Sequence, residues 1–227
     1  MTLRQFLKTI GSYAALAVVI LAGMSICSPR AQAQEDEHDR DRKDPRIEKG
    51  FKIAPVQLNL EGKDRNLVGL GSYIVNAQGD CNGCHSANEF ASNGNPYLLG
   101  QKKKIDPTTY LGGGADFGNF GPPSPDIVSR NLTPDKTGRP EGGHTFKEFR
   151  RIMRTGIDLD KLHPNCSDTV TENCFLPPFD GSLLQIMPWS TYQDMTDHDL
   201  RAIYEYLRAI PCVAGPDAPS PLHNDCQ

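Results

Sequence analysis

Apolar residues recur at helical spacing in three stretches of this chain. Over about residues 66–78, NLVGLGSYIVNAQ, the positions Leu67, Leu70, Tyr73 or Ile74, and Ala77 fall on one helical face. Gly71 is a poor helix former inside that stretch, which predicts that a second helix crosses closely there. Gly79 ends the pattern. A second helix is predicted over about 146–155, with Phe146, Phe149, Ile152 and Met153 as its stripe. Thr145 and Glu148 form a capping box ahead of it, and Gly156 is placed to stop it. A third is predicted over about 197–209, where Leu200, Ile203, Tyr204 and Leu207 share a buried face. Thr196 and Asp199 again read as a capping box, and Pro211 bars continuation. Two Gly- and Pro-rich stretches, 91–143 and 157–195, separate the helices and show no alternating strand pattern. The pattern predicts an all-α fold: a small helical domain with long loops.

Both ends of the chain have a different character. Residues 1–33 have Arg4 and Lys8 at the start, the apolar run YAALAVVILAGM over 13–24, and AQA at 31–33. The run is short for a membrane span, and the small residues suit a cleavage site, so 1–33 is expected to be a signal peptide. An uncleaved anchor helix is the alternative. Residues 34–50, QEDEHDRDRKDPRIEKG, are nearly all polar and are expected to be a solvated linker or arm. The formal charge is −4, and cleavage would remove Arg4, Lys8 and Arg30 but no acid. Such an acidic chain is a poor nucleic-acid binder, though it could dock on a basic patch of a protein. Export fits the cysteines. Without Cys27 there remain Cys81, Cys84, Cys166, Cys174, Cys212 and Cys226. If the first pair is committed elsewhere, four are left to pair in an oxidising compartment. Three connectivities exist, and the local pairs Cys166–Cys174 and Cys212–Cys226, each closing a short loop, are favoured here.

The chemistry centres on Cys81-Asn82-Gly83-Cys84-His85. A redox dithiol belongs after a strand in a βαβ unit, whereas this motif follows a helical pattern. A zinc site needs a second close ligand pair, and the chain has no other CxxC. Covalent haem explains all three residues at once. Two thiols with two residues between them reach two neighbouring vinyl groups, and the following histidine ring reaches the iron. A large apolar cofactor would also fill a core that so few helices leave short of side chains. For a sixth ligand the chain offers His38, His144, His163, His198, His223, Met153, Met187 and Met195. Most have plain alternatives; Met153, for example, lies on a helix stripe where Met is ordinary core filler. Met187 stands in GSLLQIMPWSTY, 181–192, where Pro188 restricts it to extended geometry and so presents it from a loop. Met187 is the favoured ligand, and core filler is the alternative. Ligation by His85 and Met187 would favour Fe(II) and fill both axial positions.

The stretches GLGSYIVNAQGDCNGCH, MPW and DHDLRAIYEYLRAI together resemble class I c-type cytochromes. More narrowly, YLGGG (110–114), SRNLTPDKTG (129–138), FKEFRRIMRTG (146–156) and MPWSTYQDMTDHDLRAIYEYLR (187–208) resemble haem modules in cytochrome subunits of periplasmic alcohol and sugar dehydrogenases. The resemblance covers roughly residues 66–211. It implies one haem c on Cys81 and Cys84, axial His85 and Met187, and helices crossing where Gly71 meets Tyr204 or Tyr206. It also implies that the RNLTPD loop brings Arg130 or Asn131 near a haem propionate. An ordinary surface arginine is the other reading of Arg130. Those subunits typically carry three CxxCH modules, and this chain has one. The domain organisation expected is 1–33 signal peptide, 34–62 charged linker, 63–211 cytochrome c domain and 212–227 tail. The implied role is a periplasmic, exported, mono-haem electron carrier and not an enzyme. Its partners would be a dehydrogenase or quinol-oxidising donor and an oxidase or other acceptor, with membrane contact only through a partner or an uncleaved signal. A haem enzyme or gas-binding protein with an open axial site, or a docking subunit of a dehydrogenase complex, is the alternative.

Overall fold

The computed structural model describes residues 44–122, 124–217 and 222–226, so the expected signal peptide, Cys27 and His38 lie outside the described residues. Helix α1 spans Pro45–Ile53, α2 Arg65–Tyr73, α3 Cys81–Cys84, α4 Phe146–Thr155, α5 Trp189–Tyr192 and α6 Asp197–Leu207. A π-helical turn, Ile74–Gln78, continues α2. The described residues contain no strand, only isolated bridges such as Ser86 with Gly113 and Phe90 with Ile105. The long loops expected between the helices are present.

Each predicted helix forms where the pattern placed it, and local chemistry sets its ends. At α4 the Thr145 hydroxyl accepts from Glu148 N–H, while the Glu148 carboxylate accepts from Thr145 N–H at 2.8 Å. Gly156 closes α4 in the left-handed region at φ 68°. At α6 the Thr196 hydroxyl accepts from Asp199 N–H at 3.0 Å. The π-turn widens the end of α2 and turns Asn76 inward. There Tyr110 Oη donates to Asn76 Oδ1 at 2.6 Å and lies 2.8 Å from Tyr206 Oη.

The helices stack by close backbone approach. A Cβ on Gly71 would lie 1.9 Å from the Ala202 carbonyl oxygen and 2.7 Å from Tyr206 Cβ, so α2 and α6 cross backbone to backbone. Of the two tyrosines expected at that crossing, Tyr206 is the one in contact. Around it Val68, Leu70, Val75, Tyr206 and Leu207 are almost fully buried. At the burial coefficient of about 25 cal/mol per Å², each apolar side chain so enclosed contributes roughly 1.5–3 kcal/mol.

Helix α1 differs from the expectation of a solvated linker. Asp44 caps it by accepting from Arg46 N–H at 2.9 Å, Pro45 starts it, and Ile47 is buried. Its Gly50 lies against Gly69 of α2, where a Cβ would come within 1.9 Å of the Gly69 oxygen, and Ser72 Oγ donates to Gly50 O at 2.8 Å. Phe51, Val56, Leu58 and Leu60 pack on the same core. The charged surface of 45–53 hides an apolar face built from Ile47, Gly50 and Phe51, which the overall polarity of the segment outweighed.

Candidate functional site

The CNGCH segment begins where α2 and its π-turn end. Asp80, in the left-handed region at φ 48°, turns the chain into α3, and Tyr192 Oη donates to Gly79 O at 2.8 Å to hold that turn. Cys81 and Cys84 are both free thiols, Cys81 half-buried and Cys84 exposed. Burial, then the negative charge of Asp80, pushes the Cys81 thiol up to about 12 and raises Cys84 in the same way.

The YLGGG loop joins this segment to SRNLTPD. Leu111 N–H donates to Ser86 Oγ at 2.9 Å, Gly113 N–H to His85 O at 2.8 Å, and Gly114 N–H to Ser129 O at 2.9 Å. Gly113 has room only for hydrogen: a Cβ would sit 2.7 Å from the Ser129 and Arg130 backbone. This packing lets His85 Nδ1–H donate to the Arg130 carbonyl at 2.8 Å. The bond fixes the ring's tautomer and leaves Nε2 with its lone pair. Burial lowers the His85 pKa below its ordinary value, keeping the ring neutral, as an iron ligand requires.

Met187 arrives from the other end of the chain between two tight turns. Its N–H donates to Gln185 O at 2.7 Å across Ile186, which sits at φ 67°. Trp189 N–H donates to Met187 O at 2.8 Å across Pro188. The first is a γ-turn with positive φ at a β-branched residue, a strained geometry of about 1–3 kcal/mol that persists only where surroundings impose it. Trp189 supplies that constraint. Its Nε1–H donates to Leu184 O at 3.2 Å, and its ring covers Gly156, where a Cβ would clash at 2.2 Å.

Cys81, Cys84, His85, Arg130 and Met187 line one cavity of about 480 Å³. Its body is apolar, walled by residues such as Ile74, Val75, Phe149 and Leu207. One side is polar. There Arg130 pairs with Asp158 at 2.5 Å and with Asp160, and its side chain is only 13 % exposed, so it is no ordinary surface arginine. Glu141 and His163 line the cavity too, and Glu141 Oε2 and His163 Nδ1 are buried without a hydrogen-bond partner. Asn131 does not line this cavity. It is buried beside it, donating to Val213 O at 2.7 Å and accepting from Thr133 N–H at 2.9 Å. Met153, Met195 and His163 also line the cavity, whereas His144, His198 and His223 do not. Sequence reasoning passed over Glu141; the signal available was an acid amid glycines in RPEGGH.

The donor set fits a covalently held haem: paired thiols, a neutral imidazole and a thioether around an apolar body with one polar side. Among the described residues no three His, Cys, Asp or Glu side chains gather as ligands for a bare metal ion, so the zinc reading lacks its other half. Among the described residues there is no sheet to support the dithiol reading. Both disulfides follow the local pairing, Cys166–Cys174 and Cys212–Cys226.

Comparisons with known proteins point to cytochrome subunits. The chain is 29 % identical over 170 residues to the fructose dehydrogenase cytochrome subunit of Gluconobacter japonicus, covering 75 % of this chain and 26 % of that one. It is 30 % identical over 155 residues to the cytochrome c subunit of the quinone alcohol dehydrogenase of Gluconacetobacter polyoxogenes, covering 68 % and 24 %. It is 28 % identical over 143 residues to the gluconate 2-dehydrogenase cytochrome c subunit of Pantoea cypripedii, covering 62 % and 22 %. The chain thus spans about a quarter of the length of these relatives. No protein-family model and no solved structure matches it. The chain is related to the cytochrome c subunits of dehydrogenases. Among the described residues no helix is long and apolar enough to cross a membrane.

Proposed function

We propose that this chain is an exported c-type electron carrier holding one haem c, with Cys81 and Cys84 as thioether donors and His85 and Met187 as axial ligands. The observation that carries this reading is the shared cavity. A CxxCH segment whose histidine is fixed through Nδ1 meets a methionine, presented next to the strained Ile186 in a Trp189-braced turn, on the walls of one apolar chamber. Haem held by these residues would supply a reversible one-electron couple. The protein's own part is to hold His85 neutral, present the Met187 sulfur and exclude water with the apolar wall. Asn131 is proposed as a support of the RNLTPD loop, and Arg130, fixed by Asp158 and Asp160, as the residue beside the propionates. The proposed partners are a dehydrogenase or quinol-oxidising donor, in line with the complexes named for its relatives, and an oxidase or other acceptor. The proposed setting is the periplasm.

Optical spectroscopy and redox titration of the holoprotein test the proposal. The wild type is expected to be low-spin in the ferric state with a thioether-to-iron charge-transfer band. Met187→Ala should lose that band and fall in potential. A wild type that is high-spin and binds CO or cyanide at once would sink the carrier reading in favour of an open-site haem protein.

A further inference from the structure

The loop over 91–104, ASNGNPYLLGQKKK, has no part in the cavity. It contains no acidic residue, in a chain whose net charge is negative. The loop is a built object. Phe90 and Ile105 close its base as a bridge, Ala91 N–H donates to Lys104 O at 3.0 Å, and Lys104 N–H donates to Gly94 O at 2.9 Å. Asn95 N–H donates to the Gln101 side chain at 3.0 Å, and Leu98 N–H to Asn95 O at 3.1 Å. At the braced tip, Tyr97, Leu98 and Leu99 are 87 %, 53 % and 104 % exposed. Lys102, Lys103 and Lys104 follow after Gly100 and Gln101, all exposed, with no ion pair among the described residues.

We propose that this loop docks the protein on an anionic lipid surface, with Tyr97, Leu98 and Leu99 inserted at the interface and Lys102, Lys103 and Lys104 on the headgroups. Two observations favour lipid over a protein partner. Tyr97, Leu98 and Leu99 are consecutive and each is more than half exposed, and a fluid apolar phase can take up all three without a preformed pocket. The spacing also matches the depth of an interface. Lys102 lies at most about 11 Å of chain from Leu99, comparable with the roughly 5–10 Å to which interfacial segments sink. Tyrosine and lysine are the side chains whose apolar stems and polar ends suit that boundary. Because the loop leaves the body at Phe90, shortly past His85, docking would hold the CNGCH segment close to the bilayer.

The test is vesicle binding by the full-length holoprotein, with hydrogen exchange read on the peptide covering 91–105. That local readout is needed because the apolar run at 13–24 could partition into lipid by itself. Phosphatidylglycerol vesicles should protect the loop at low salt, and phosphatidylcholine vesicles should not. Replacing Lys102, Lys103 and Lys104 by Gln should weaken the protected complex about a hundredfold, at about fivefold per lysine. Leu98→Ser with Leu99→Ser should abolish protection while leaving the haem spectrum unchanged. No protection with phosphatidylglycerol, equal protection with both lipids, or protection of the loop only by an acidic protein overturns the assignment.

Discussion

Glu141 is the residue whose chemistry is furthest from ordinary. It is 6 % exposed, and burial, opposed by Arg130 and reinforced by Asp160 and Asp158, raises its pKa from 4.5 to about 7. A carboxyl raised on folding binds its proton more tightly in the native state. Its contribution to stability is therefore complete below about 4.5 and is lost as pH rises through about 7. The span corresponds to roughly 3 kcal/mol. Denaturant midpoints of wild type and Glu141→Gln at pH 5 and pH 8 should show it: the wild type loses stability relative to the variant on going to pH 8. A difference that does not change with pH would mean that Glu141 is solvated. At this scale the sequence singled out Cys81, Cys84 and His85 as candidates, because their CxxCH spacing is a purely local signal. It said less about Glu141 and Asn131, whose roles depend on which distant loops enclose them.

Among the elements, the crossing of α2 and α6 is the most demanding contact. Gly71→Ala would drive a methyl into the Ala202 carbonyl, which belongs to helix backbone and cannot step aside. It should cost at least about 3 kcal/mol, at the upper end of overpacking penalties, with the unfolding midpoint of the holoprotein as the measure. A loss under about 1 kcal/mol would show that the helices can separate. This crossing was readable because a glycine inside an apolar helical stripe gives up helix propensity and packing surface, and close backbone approach is what offsets that loss. The capping box at α4 and the Thr196 cap at α6 were readable because their bonds join residues only three apart, although at α6 only the hydroxyl half of the expected box forms. Helix α1 was not, since Asp44 and Pro45 signal a start but the charges around Ile47 and Phe51 dilute the stripe. The turns around Met187 were half legible. Pro188 announced an extended residue, but Ile186 at positive φ is held there by Trp189 packing on Gly156, a contact no local pattern encodes.

For the whole molecule, loops do much of what a larger helical core would do, and the tail fastens them. Asn224 donates to the Thr133 and Pro134 carbonyls at 3.2 and 3.1 Å, beside Cys212–Cys226. Replacing Cys212 and Cys226 by Ser should therefore cost about 3 kcal/mol from loop closure, and loosen the RNLTPD loop as well. Denaturation under non-reducing conditions would check the first, and hydrogen exchange over 129–135 the second. An unchanged midpoint would count against the tail as a fastening. The contact between Gly71 and Ala202 also sets a schedule. A chain delivered amino end first presents CNGCH long before α6 exists to cover α2. Through that interval the two thiols and the imidazole stand open to whatever machinery must handle them. Arrival of α6 then covers that face of α2, and only the tail with Asn224 and Cys226 remains to be placed.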